Sequence, residues 1–174
     1  MDAERDTKDW TWVLERPCEQ CGFDAGSVGT DVLAGKLRDG ATRWSAVLSR
    51  DDVRIRPTES QWSPLEYACH VRDVFVIFYG RLALMLEDAN PTFAMWDQDE
   101  AALEGRYCDQ DPAAVRDELC ASARRYADRF DTVESAQWLR PGLRSNGSQF
   151  TVESLGRYSL HDVVHHLWDV GAPI

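Results

Sequence analysis

The chain has 174 residues, 44% of them hydrophobic and seven of them tryptophan, enough apolar material for one buried core. Its formal net charge of −11 repels phosphate backbones and anionic lipid surfaces, which argues against nucleic-acid and membrane-surface partners. No apolar run approaches the roughly 20 residues of a membrane helix, and the charged opening MDAERDTKDW lacks a signal-peptide core, so one cytoplasmic domain over 1–174 is expected.

Residues 1–30 read as an irregular N-terminal extension, with Pro17, Gly22, Gly26 and Gly29 spread through it. It carries PCEQCGF, in which Cys18 and Cys21 make a C-x-x-C pair. A redox pair needs a strand followed by a helix N-terminus, and a four-cysteine zinc site needs a second C-x-x-C; neither is evident. A local structural pair is the expectation. Five cysteines in a chain without secretory features also argue against a disulfide framework.

A first helix is predicted over 31–49, where Val32, Leu33, Leu37, Ala41, Trp44, Val47 and Leu48 draw one apolar stripe. The 13 residues RDDVRIRPTESQW break the period. The second helix has the clearest start: Ser63 as N-cap, Pro64 at the first position and Glu66 completing a capping box, with Trp62 before them as a hydrophobic staple. It should run to about Asp88, with Tyr67, His70, Val71, Val74, Ile77, Phe78, Leu82 and Met85 inward. PTFAMWD, after it, can lie over a site. The third helix begins at Asp111-Pro112, and the 17 residues from Glu134 to Phe150 read as loop. The fourth runs from a Thr151 cap to Gly171. The prediction is an all-α fold, an antiparallel four-helix bundle with long connecting loops; such connections point to a covered site.

Three of the four histidines stand in SLHDVVHHLWDV, and the fourth is His70. Residues i and i+4 of a helix lie about 40° apart, so His161 and His165 share a face, flanked by Tyr158 and Trp168. His166 lies elsewhere on the helix and pairs with Asp162 one turn earlier. His70, on the inner face of the second helix, supplies a third imidazole if the two helices are neighbours. Three imidazoles suit Zn²⁺, Ni²⁺, Fe²⁺ or Co²⁺ and leave positions open for water or substrate. From the residues alone, this metal site and a set of hydrogen-bonded core histidines stand level.

WSPLEYACHVRDV followed far downstream by SLHDVVHHLWDV resembles the DinB-like superfamily, also called the DinB/YfiT-like metalloenzyme group, from about residue 30 onward. The opening DTKDWTWVLERPCEQCGFDAG resembles an actinobacterial branch of it, in keeping with 17 Arg against 2 Lys. The resemblance implies a four-helix bundle whose divalent metal, Zn²⁺ or Ni²⁺ first, is held by His70, His161 and His165. Asp73, Asp162 and His166 are the expected supporting residues around these ligands, accepting or sharing their outward N–H. Arg81 and Tyr158 are the candidate contacts to a bound molecule. The group includes thiol-dependent S-transferases and a mycothiol-dependent maleylpyruvate isomerase, so the implied function is a transferase in which the metal activates a low-molecular-weight thiol, mycothiol or similar, toward an electrophilic substrate. The isomerase relatives carry Glu where His161 stands and usually a further C-terminal domain; this chain differs at both points, which turns the expectation away from the isomerase reaction itself. A metal-dependent hydrolase and a non-enzymatic, stress-linked metal-binding bundle are the alternatives. Bundles also pair across two-fold axes, so a homodimer is a further expected assembly.

Overall fold

The computed structural model describes residues 10–173. Four long helices build the core: α1 (Thr30–Val47), α2 (Pro64–Glu87), α4 (Pro112–Asp131) and α5 (Val152–Asp169), with a short α3 (Gln98–Glu104) between the second and third of them. The capping box at α2 forms as expected: the Ser63 amide donates to Glu66 at 2.9 Å and the Glu66 amide to Ser63 Oγ at 3.3 Å. Asp111 caps α4 by accepting from the Ala114 amide at 2.9 Å, and Thr151 caps α5 by accepting from the Ser154 amide at 3.1 Å.

The helices run in two directions. Arg157 reaches Val28 O (2.8 Å) near the starts of α5 and α1, while Trp44 Nε1 donates to Val163 O (3.2 Å) toward their ends, so these two are parallel. Against α5, α2 is antiparallel: His70 lies opposite Asp162 and Phe78 opposite Tyr158. Arg72–Glu118 and Glu87–Arg129 contacts make α2 and α4 parallel. Both α1 and α2 pack between α4 and α5, so α1 sits across the bundle from α2, and α4 across from α5, while α2 and α4 are neighbours. A parallel neighbour requires a return path. α2 has 24 residues, about 36 Å at the helical rise, and the chain covers that distance through α3 and the segments around it.

A small sheet, unexpected from the sequence, closes one end. Its strands β1 (Thr92–Phe93), β2 (Pro141–Arg144) and β3 (Gln149–Thr151) lie in the order β1-β2-β3, the first pair parallel and the second antiparallel. The predicted 134–150 loop therefore contains a hairpin, with Phe93 and Phe150 buried. The N-terminal stretch, expected as an irregular extension, is packed against the bundle from residue 10 onward. It forms turns at Thr11–Leu14 and Ala25–Ser27, packs along α5 and buries Val13, Cys18, Ala25 and Val28.

Candidate metal centre

α5 carries two i,i+4 pairs side by side. His161 and His165 occupy one face; Asp162 and His166 occupy the next, about 100° round the axis. Each pair meets a different neighbour.

The Asp162–His166 face meets α2. His70 Nε2 lies 3.1 Å from Asp162 Oδ1 and His166 Nε2 lies 3.4 Å from the same oxygen. One nitrogen or oxygen atom from each of His70, Asp162 and His166 falls within 4.8 Å of the others. Ligand atoms about 2.0–2.2 Å from a common zinc-like ion stand roughly 3.0–3.4 Å apart, so both contacts fit a shared cation. His166 Nδ1 faces Asp169 Oδ2 at 2.7 Å, the carboxylate–histidine arrangement that fixes a ligating ring and turns its other nitrogen toward the metal. His70 Nδ1 is buried with no hydrogen-bond partner. Trp96 stacks on the His70 ring (5.3 Å, 5°), Trp62 covers another side at 5.7 Å, and Tyr67 lies 4.9 Å from His166.

Electrostatics reinforce this grouping. Burial disfavours charge on Asp162, but the His70 and His166 rings outweigh it and hold the carboxyl well below the usual carboxylate range. Burial likewise lowers His166, yet Asp162 and Asp169 together raise it to about 9. Without a metal the positive charge between these groups is a proton; a divalent cation can replace it.

His161 and His165 do not join His70. They turn toward the N-terminal stretch, where Cys18 Sγ lies 3.7 Å from His165 Nδ1 and ligand atoms of Cys18, Cys21, His161 and His165 all fall within 4.8 Å of one another. The expected set His70–His161–His165 is thus divided, and Asp162 and His166, expected to support it, stand beside His70 instead. The reason is rotational: α5 is turned one residue further than the expected set requires, because residues 10–29 cover the His161 face. Asp73 does not reach His70; it accepts from Arg72 Nε at 2.8 Å and from the Tyr107 hydroxyl. Arg81 is buried over the Phe78 and Phe93 rings and donates to Ala94 O at 3.4 Å. Its guanidinium is pushed down to about 10 by burial and then by Arg144. Tyr158, by contrast, lines a cavity of about 280 Å³ together with Asp162, His166, Trp10 and Trp62. Cys69, next to His70, is fully buried and its thiol is pushed up to about 12 by that burial, as suits a core residue.

Residues 36–170 match the family model described as the DinB superfamily. The chain belongs to the DinB superfamily. Its fold is that of YfiT from Bacillus subtilis, described as a probable metal-dependent hydrolase with an unusual four-helix bundle topology: TM-score 0.73 and 17% identity over 90% of this chain and 91% of that one. A mycothiol-dependent maleylpyruvate isomerase is also similar, with TM-score 0.68 and 15% identity over 85% of this chain. This DinB chain spans 63% of that isomerase's length. No curated protein matches it in sequence. Among the described residues, no helix is long and apolar enough to cross a membrane.

The sequence offered a signal for the regrouping. Asp162 and His166 have the same i,i+4 spacing as His161 and His165, and a carboxylate at the first position is what the resemblance assigns to the isomerase relatives. C-x-x-C with H-x-x-x-H is likewise a two-thiol, two-imidazole donor set, although Cys18 and His165 are 147 positions apart.

Proposed function

We propose that this DinB protein is a metal-dependent enzyme whose divalent cation, zinc or nickel first, is held by His70, Asp162 and His166, and that it transfers a low-molecular-weight thiol to an electrophilic substrate. The observation that carries the reading is the convergence of two imidazole nitrogens on Asp162 Oδ1 at 3.1 and 3.4 Å, beside a cavity. Three protein ligands leave coordination positions free, the mark of a chemical rather than a structural site. When bound, the cation supplies a Lewis acid that favours thiolate over thiol, or hydroxide over water. Asp169 holds the His166 ring in the ligating tautomer. Trp62 and Trp96 clamp His70 and keep water from its buried ring. Tyr158 faces the cavity with a ring that can pack on bound substrate. A thiol of the mycothiol type is the proposed cosubstrate because the isomerase of the same fold is mycothiol-dependent.

Hydrolysis is a second reading, favoured by the match to YfiT along nearly the whole of both chains. The deciding experiment compares wild type with Asp162→Ala/His166→Ala, both untagged, by plasma mass spectrometry and in activity panels with and without mycothiol. The double variant should lose one equivalent of metal and all turnover. Equal metal content in the two proteins sinks the site, and turnover indifferent to thiol moves the reaction to hydrolysis. A loaded protein without turnover in either panel is a metal-binding bundle, not an enzyme.

A further inference from the structure

The second cluster is built as a metal site of another kind. Cys18, Cys21, His161 and His165 are 1%, 8%, 4% and 7% exposed. The Cys18–Cys21 turn is closed by the Cys18 amide donating to Phe23 O and the Gly22 amide donating to Cys18 O, both at 2.8 Å. Gly22 adopts φ +73°, a left-handed conformation that glycine enters without Cβ strain, and this bends the chain back after the second thiol. The turn brings both thiols to the face of α5 that presents His161 and His165.

The separations suit a tetrahedral ion. A sulfur about 2.3 Å and a nitrogen about 2.0–2.1 Å from one zinc ion stand roughly 3.6 Å apart. Cys18 Sγ and His165 Nδ1 are 3.7 Å apart. His161 Nε2 is buried with no hydrogen-bond partner. An orphaned buried nitrogen costs about 1–3 kcal/mol, and a metal bond would remove that cost. Burial keeps His161 neutral, with its pKa lowered to about 4, so its lone pair is available at physiological pH. Burial and Cys18 push the Cys21 thiol up to about 11; a cation reverses that preference.

We infer that Cys18, Cys21, His161 and His165 form a closed two-cysteine, two-histidine zinc site that fastens the N-terminal stretch to α5. Four protein ligands leave no position for substrate, so the site is structural. His161 and His165 themselves border the cavity, and Trp10 extends that wall. Trp10 packs 4.9 Å from His165 and 5.7 Å from His161 and lines the cavity beside Asp162 and His166. Zinc here holds that wall in place. The inference does not depend on the His70–Asp162–His166 site, which shares none of its ligands.

Cobalt substitution tests it on the full, untagged, reduced chain. Thiolate ligation gives a thiolate-to-cobalt charge-transfer band in the near ultraviolet, and tetrahedral geometry gives intense visible d–d bands. Both should appear at one equivalent per chain in wild type and persist in Asp162→Ala/His166→Ala. The charge-transfer band should vanish in Cys18→Ser/Cys21→Ser. Chelation of the Asp162→Ala/His166→Ala protein should lower its melting temperature by roughly 5–10 °C. A wild-type protein without the charge-transfer band overturns the site, and needs no variant to do so. Survival of the band in the cysteine variant overturns it too, as does a Cys18–Cys21 disulfide found by thiol counting in protein isolated under reducing conditions. Visible d–d bands lost only in the Asp162/His166 variant, with no charge-transfer band in wild type, would instead place cobalt at the other centre.

Discussion

Asp169 is not itself a proposed ligand, yet it sets one. Its Oδ2 lies 2.7 Å from His166 Nδ1 and 4.0 Å from His165 Nε2, so one carboxylate borders a ring from each cluster. Outer carboxylates of this kind typically contribute 10–100-fold in metal affinity. Asp169→Asn is therefore expected to weaken binding at the His70 site by roughly that factor, measured by competition with a chromophoric chelator; an unchanged affinity would mean that the His166 tautomer is fixed elsewhere. Glu66 is a second single-residue lever. Burial raises its pKa, but Arg56 and Ser63 outweigh that, and the folded value falls below the ordinary 4.5. A depressed carboxyl stabilises the fold above its unfolded pKa, and that stability disappears as pH falls through the folded value. Glu66→Gln should cost about 1–3 kcal/mol at pH 7 and leave a flatter acid limb than wild type, read by urea unfolding at neutral pH and near pH 3.

At the scale of elements, close packing of α5 on α1 and α4 rests on Gly156. A Cβ there would stand 2.4 Å from Leu33 Cδ2 and 2.8 Å from Phe130 Cζ. Gly35, on the outer side of α1, would meet nothing within 4 Å. Gly156→Ala should destabilise by about 1–3 kcal/mol through overpacking, and Gly35→Ala should stabilise by about 0.5–1 kcal/mol through helix propensity. Similar denaturation midpoints for the two would show that Leu33 and Phe130 yield freely. The same elements show what could be read in advance. α2 was legible from Ser63, Pro64 and Glu66 because caps act locally. The sheet was not: strands of two to four residues are too short for an alternating pattern, and they exist because Phe93, Gly142 and Phe150 meet at one end of the bundle. The H-x-x-x-H pair was legible as a pair, but its partner was not. Choosing between His161/His165 and Asp162/His166 for His70 requires the rotation of α5 to within 100°, and that rotation depends on a covering N-terminal stretch with no periodicity of its own.

At the scale of the whole molecule, parallel packing of α1 with α5 means that many native contacts join residues more than a hundred positions apart, such as Trp44 with Val163 and Arg50 with Val170. Long-range pairing slows folding because loop closure precedes the contacts that reward it. The chain should refold more slowly than up-and-down bundles of similar size, beyond their microsecond-to-millisecond range; stopped-flow fluorescence of its tryptophans would register this, and a faster phase carrying the full amplitude would contradict it.

The separation of Cys18 from His165 by 147 positions also has a consequence on the ribosome. At about 5–20 residues per second, the two thiols emerge roughly 7–30 s before the histidines they meet in the folded chain. For that interval Cys18 and Cys21 are nascent, solvated and without their α5 partners, and the last long helix to be made is the one that brings both clusters together.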